Sequence, residues 1–496
     1  MSFTSIAFLV FLPVVWATYW GLGRREWQNL LLVCASYVFY GWWDERFCVL
    51  MLTSSLVDYG LGLALGPSSP DSDRRVSRWS GIGRRRLLLG MSLACNLGLL
   101  GVFKYFGFFV DSFQAAAGLI GWSPGAVTLE IILPVGISFY TFQTLSYTID
   151  VYRGRLVPTR NLVDYLAFVS FFPQLVAGPI ERASRLLPQF QQPRCWERDA
   201  IGAGLRQMLW GLFKKVVIAD TLAGPVAASF ASPEAAGGPR LMVATVLFAY
   251  QIYCDFSGYS DIAIGTARLF GITLMRNFAY PYFSQSIVEF WQRWHISLST
   301  WFRDYVYIAM GGNRGGRVQT WRNVVLTFLV SGLWHGAAWR FIAWGGLHGV
   351  SLVALPRPAT RVEIDQPGGE GLVPRLAVLL RMILVFSLVC GFWVFFRANS
   401  LADAWLIWTT MVTQLHDVQA YRELLLEYQA GGPLFGITHL LVMFLVVEWL
   451  GRHKPHPVDF PGWPRPVRWS IYAALAWFVI EYGGRGESSP FIYFQF

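Results

Sequence analysis

Hydrophobic positions in this chain fall in long blocks, not in the alternation of strands or the single stripe of a soluble helix. Runs long enough to cross a bilayer, about 20 residues each, recur at 3–22, 28–43, 47–66, 86–106, 129–149, 162–180, 239–254, 323–339, 341–356, 376–396, 433–450 and 468–482. Some are interrupted by Gly and Pro, notably around Pro134-Val135-Gly136 and Gly178-Pro179. A broken helix at membrane depth is tolerated only where protein surrounds it or where it lines a cavity. The pattern therefore predicts an all-α polytopic membrane protein with roughly 10–13 membrane segments, some of them broken or re-entrant. The stretches 357–375 and 397–432 are the most polar and are expected outside the bilayer. No internal repeat is visible, and no stretch reads as an independent soluble domain.

Composition supports the same class. Hydrophobic residues make up 54% of the 496 and charged residues 14%, against about 45–50% and about 25% in soluble domains. The N-terminal run Phe3–Leu22 has neither a basic leader nor a small-residue cleavage site, so it reads as a retained helix. Cys34, Cys48, Cys95, Cys195, Cys254 and Cys390 are scattered without a C-x-x-C pair, which suggests neither zinc nor a disulfide framework.

The net charge of +10 does not point to nucleic acid, because the basic residues cluster in short loops between apolar runs. That is the positive-inside pattern. The loop 67–86 carries Arg74, Arg75, Arg78, Arg84, Arg85 and Arg86 and is assigned to the cytoplasm. Counting crossings from it puts Arg24-Arg25 and Arg153, Arg155 and Arg160 inside as well, and the N-terminus outside. The loop 452–468 also looks cytoplasmic.

One side chain stands out against this background. His335 lies in VVLTFLVSGLWHGAAW, and no Asp, Glu, Lys or Arg occurs between Arg322 and Arg340. A titratable group there is costly and is by default functional, although an imidazole packed inside a bundle is the competing reading. If the run is one helix, Ser331 and Trp339 share the His335 face, whereas His348 does not and reads as structural. Gly332 and Gly336 would let backbone or a ligand approach closely. A second histidine, His295, lies in EFWQRWHISLSTWFRDY among Glu289, Arg293, Arg303, Asp304 and three tryptophans. That setting also suits an interfacial amphipathic helix with snorkelling arginines. Asp255 and Asp261 sit in the apolar stretch YCDFSGYSDIAIG, where the Ser257-Gly258 pair allows a kink; they read either as packing carboxylates or as groups that orient a histidine. No ligand spacing indicates a metal.

Together these residues resemble the membrane-bound O-acyltransferase family. WHISLS around His295 and SGLWHGAAWRFIAWGGLHG around His335 carry the likeness, with FFPQLVAGPIER at 171–182. The segments 253–272 and 277–314 and the tail FIYFQF at 491–496 resemble the bacterial branch that acetylates exopolysaccharides, alginate among them. That branch usually has Arg where Gln292 stands and Pro where Ala309 stands.

The resemblance implies a single integral-membrane acyltransferase domain over 1–496, built around a central tunnel reached from both faces. It would comprise an N-terminal bundle of about 1–160, a catalytic core of about 161–356 and C-terminal helices of about 375–496. It also implies that His335 is the catalytic histidine and that His295 occupies the family's second active-site position. The reaction implied is transfer of acetyl from a cytoplasmic thioester, acetyl-CoA, to a hydroxyl outside the bacterial inner membrane. The acceptor would be an exopolysaccharide or a periplasmic partner, such as an SGNH-type acetyltransferase.

A hydroxyl needs a base, and histidine suits near neutral pH. The oxyanion donor would be His295 or a tryptophan N–H. Lys214, Lys215, Arg314, Arg317 and Arg322 are candidates for the donor's phosphates, each of which can also be a cytoplasmic anchor. A transporter that moves acetyl or glycan without bond chemistry, and a family member using another acyl group such as D-alanine, are the alternatives.

Overall fold

A computed structural model describes residues 1–66, 78–123, 125, 132–355, 376–460, 462–483 and 490–492. Expectations resting on Arg74, Arg75, the 357–375 stretch and residues 493–496 lie outside the described residues. Those residues fold as helices and connecting loops, with no strand among them. By length and composition, Glu45–Leu65, Gly83–Leu119, Gly238–Leu269, Leu376–Arg397 and Pro433–Gly451 can cross a membrane; Ile6–Gly21 is as apolar but shorter. The other apolar runs form helices that are shorter or more polar.

The chain separates into two compact units. One comprises residues 1–202 and 266–275, the other 203–265 and 276–496. The first unit has a polar interior. Asp58 is fully buried and accepts hydrogen bonds from Ser92 Oγ (2.5 Å), Asn96 Nδ2 (2.6 Å) and Thr148 Oγ1 (3.1 Å). These three donors satisfy a carboxylate that would otherwise be very costly away from water.

The run 162–180 does not form one span. It breaks into Leu162–Ser170 and Phe172–Leu175, each too short to cross, and residues 167–180 are all buried. Pro173 has no N–H with which to continue a helical ladder, and the Phe172 N–H that opens the new segment donates to Ser36 Oγ at 3.0 Å. The run 129–149 likewise becomes helical only at Ile137, after Gly136 at φ 77°. A Cβ on Gly136 would meet the Leu175 carbonyl oxygen at 2.8 Å, so the two broken segments touch backbone to backbone.

In the second unit, Ser257-Gly258 does not break the chain. Gly238–Leu269 is one continuous helix of 32 residues. Its glycines serve close packing instead: a Cβ on Gly258 would lie 2.7 Å from the Gly211 carbonyl oxygen, and one on Gly265 would lie 2.5 Å from that of Gly204. Small residues facing each other let membrane helices approach to backbone contact. The helix Leu376–Arg397 turns Leu376, Leu379, Leu380, Ile383 and Leu384 outward, as a lipid-facing surface requires.

Candidate active site

His295 owes its position to a tight turn. Ser286 and Glu289 open the helix Ile287–Arg293 with a reciprocal cap: Glu289 N donates to Ser286 Oγ (3.1 Å) and Gln285 N to Glu289 Oε2 (2.8 Å). Seven residues later the helix stops, and His295 takes φ 44°, ψ 53° before Ile296–Phe302 begins. This left-handed conformation is unusual outside glycine and costs of order 1–3 kcal/mol. The segment 277–279 pins the turn, because Ile296 N donates to Asn277 O and Ala279 N to Arg293 O, both at 2.9 Å. Glu289 and Arg293 are spent within the same element, paired at 2.8 Å. His295 is fully buried. Its surroundings are thus a folded joint rather than an amphipathic helix on a membrane surface.

His335 ends a helix rather than lying within one. Gly316–His335 stops there, Gly336 turns the chain, and Trp339–Ala354 runs back along it. A Cβ on Gly332 would fall 2.2 Å from the Phe341 carbonyl oxygen, and one on Gly345 would fall 2.1 Å from that of Phe328. The approach allowed by the glycine beside His335 is therefore made by the chain's own backbone. Trp339 does not share the His335 face; it opens the returning helix and is exposed.

The turn recruits what a straight helix would have separated. The Trp344 ring packs edge-on to His335 (centroids 5.1 Å apart) and against His348 (4.9 Å). His348 Nδ1 accepts from Trp291 Nε1 at 3.2 Å, so its proton sits on Nε2. The rings of His295 and His335 lie 6.3 Å apart.

A cavity of about 650 Å³ is lined by neighbours of the pair, Ile296 and Ser331 among them, but by neither histidine itself. Its wall follows the 316–335 helix from Val324 through Thr327 and Phe328 to Ser331, one turn before His335. Trp291 and Ile296 close it on the His295 side. Arg314, Arg317 and Arg322 are exposed at the opposite end of that helix. At 1.5 Å rise per residue, Arg322 is about 20 Å and Arg317 about 27 Å from His335 along the axis.

Lys214 and Lys215 are placed differently. Both are buried in a π-helical turn, Phe213–Ala219. Lys214 Nζ bonds Asp261 Oδ2 (2.6 Å) and Ser257 Oγ (2.8 Å); Lys215 Nζ bonds Asp255 (2.7 Å) and Asp220 (2.8 Å). Asp255 and Asp261 thus pair with lysines, and Asp255 also accepts from Ile492 N at 2.7 Å, which ties the tail to the 238–269 helix. Among the described residues no group of three or more His, Cys, Asp or Glu is placed to hold a metal ion.

The model of the membrane-bound O-acyltransferase family matches residues 155–395, a stretch that contains both histidines and the cavity. The chain belongs to the membrane-bound O-acyltransferase family. A probable alginate O-acetylase of Pseudomonas aeruginosa is 44% identical over 412 residues, covering 83% of this chain and 75% of its own. One of Pseudomonas putida is 38% identical over 516 residues and covers all of both chains. A peptidoglycan O-acetyltransferase of Helicobacter pylori is 35% identical over 434 residues, 81% of this chain and 77% of its own. The chain is accordingly an O-acyltransferase enzyme and a multi-pass bacterial membrane protein.

Sequence reasoning missed Asn277, Trp291 and Trp344 as members of this site. The S-x-x-E signature at Ser286–Glu289 marks the start of the helix that sets up the turn. Nothing local in the sequence announces the residues that come from 277 or from the returning helix.

Proposed function

We propose that this membrane-bound O-acyltransferase moves an acetyl group from cytoplasmic acetyl-CoA to a hydroxyl outside the inner membrane. The acceptor is an exopolysaccharide of the alginate type or a periplasmic partner, such as an SGNH-type acetyltransferase, that hands the group on. The observation that carries this reading is the buried His295–His335 pair, rings 6.3 Å apart, at the end of a helix whose Val324–Ser331 stretch lines a cavity. The relatives' names, O-acetylases of alginate and of peptidoglycan, support acetyl as the group moved.

In this reading His335 is the general base. It takes the hydroxyl proton while the oxygen attacks the thioester carbonyl; the carbon–sulfur bond then breaks, and the proton passes to the departing thiolate. Burial keeps water from the thioester. The pantetheine arm lies along the cavity. Arg314, Arg317 and Arg322 suit the donor's phosphates because they are exposed, whereas Lys214 and Lys215, neutralised by aspartates, hold helices together. The N-terminus faces the periplasm and the arginine end of the 316–335 helix faces the cytoplasm, consistent with the loop charges.

The test uses purified enzyme in lipid nanodiscs with acetyl-labelled CoA and a glycan acceptor. His335→Ala should lower transfer by about 10²–10⁴-fold, the usual contribution of a general base, with unchanged protein in the membrane. Transfer within tenfold of the native rate would remove His335 from the base role. Label that crosses the membrane still attached to CoA would favour a transporter.

A further inference from the structure

The hydrogen bonds around His295 determine which of its ring nitrogens carries the proton. Asn277 is fully buried. Its side-chain oxygen faces three groups: the Ser297 backbone N–H at 3.3 Å, Ser297 Oγ at 2.9 Å and His295 Nδ1 at 3.0 Å. A backbone N–H can only donate, so the atom it meets on Asn277 is the oxygen and not the amide nitrogen. The amide nitrogen is engaged elsewhere, donating to Ser260 Oγ at 3.1 Å. Ser260 projects from the 238–269 helix and is itself buried. The Asn277 amide is therefore held from both ends and cannot flip without losing bonds on each side.

An oxygen that only accepts calls for a donor at His295 Nδ1, and Ser297 Oγ, 3.4 Å from that nitrogen, gives its own proton to the nearer Asn277 oxygen at 2.9 Å. The neutral ring accordingly has its proton on Nδ1 and its lone pair on Nε2, across the ring. We propose that Asn277 is the positioning residue that holds His295 in this form, so that Nε2 is offered as a hydrogen-bond acceptor to the reacting hydroxyl. The inference rests on the acyl-transfer reading above. It also assigns His295 a role opposite to oxyanion donation: in its resting form Nε2 receives a proton or a hydrogen bond and has none to give. His295 orients the hydroxyl, His335 removes its proton, and the oxyanion's donor comes from another group.

The left-handed turn gives this arrangement its physical sense. The bond from Ile296 N to Asn277 O and the bond from His295 Nδ1 to Asn277 Oδ1 run to the same residue. One side chain and its own backbone thus fix both the position of the turn and the orientation of the imidazole. Locking a histidine's tautomer through the nitrogen that does not react is a general way to prepare the one that does.

Two substitutions separate positioning from mere packing. Asn277→Leu keeps the shape and removes the acceptor; Asn277→Asp keeps the acceptor and changes the charge. The readouts are kcat and donor KM for acetyl transfer, together with ring ¹⁵N NMR of histidine-labelled protein, with the His295 signals identified from a His295→Gln sample. The native enzyme should show a protonated Nδ1 and an unprotonated Nε2. Asn277→Asp should keep that signature and transfer acetyl within about tenfold of native, whereas Asn277→Leu should lose it, with kcat down about 100-fold and KM nearly unchanged.

A native His295 protonated on Nε2 would overturn the proposal. So would an Asn277→Asp enzyme as impaired as Asn277→Leu while its histidine spectrum stays native. If Asn277→Leu does not accumulate, the native spectrum and the Asp variant decide alone. Failure of the native protein to transfer acetyl would sink the acyl-transfer reading, but the ¹⁵N signature would still test the tautomer.

Discussion

Gly332→Ala is expected to inactivate the enzyme although Gly332 touches no substrate. In a helix of no special packing, alanine for glycine adds about 1 kcal/mol of stability. Here the added methyl would sit 2.2 Å from the Phe341 carbonyl oxygen and 3.3 Å from Gly345 Cα. An ordinary carbon contact needs about 3.5 Å, so the two helices of the hairpin must part by roughly 1 Å. Forcing a methyl into a packed interface costs about 1–3 kcal/mol, which reverses the sign expected from propensity.

His335 lies at the tip of that hairpin and Trp344 beside Gly345, so the separation is passed directly to the base. A misplacement of about 1 Å at a reacting group can lower the rate about 100-fold. The assay is acetyl transfer by purified enzyme in nanodiscs, read beside the thermal unfolding midpoint. Gly346→Ala is the control, since its methyl would meet only the Leu329 side-chain tip at 3.2 Å, which can move aside. A Gly332→Ala enzyme that is more stable than native and transfers acetyl within threefold of it would refute the reasoning.

Other outcomes follow from the same geometry. Lys214→Met should destabilise the protein by about 1.5–3 kcal/mol by leaving the partly buried Asp261 with only the Gln207 Nε2 hydrogen bond at 2.7 Å, seen as loss of monodisperse protein in detergent, and the Lys214→Met, Asp261→Leu double variant should recover much of it. If Lys214→Met instead folds normally and only raises donor KM, the lysine belongs to the donor site. Charge reversal at Arg317 and Arg322 together should raise donor KM at least tenfold and leave folding intact, because both are exposed; an unchanged KM would place the donor phosphates elsewhere.

The helical membrane class and the two histidines were legible in the sequence because both depend on local composition. A charge-free run is visible without its neighbours, and an imidazole inside it is visible too. The hairpin was not. Residues 323–339 read as one helix, yet the chain turns at Gly336–Ala338, where Ala338 N bonds Gly336 O at 2.9 Å and Phe341 N bonds Ala338 O at 3.1 Å. That turn brings Trp344 to His335, while His348 packs on Trp344 and Trp291. Lys214 and Lys215 read as donor-binding cations or cytoplasmic anchors because Asp255 and Asp261 lie on another helix and Asp220 meets Lys215 at i+5, outside any i,i+4 pattern. Asn277 escaped notice for the same reason: its amide matters through a residue 18 positions away.

Taken alone, the φ of 44° at His295 sets the fold and the chemistry against each other. The turn between Ile287–Arg293 and Ile296–Phe302 would be relaxed by glycine, which occupies left-handed backbone at no steric cost. Yet the imidazole is buried against Phe256, with ring centroids 4.6 Å apart, and bonded to Asn277 at 3.0 Å; His295→Gly would open a cavity and remove a hydrogen bond from a buried amide oxygen, which costs more than the relaxed turn returns. Heat stability and activity therefore select the same side chain, and the strained backbone is held by the packing of the very ring it presents.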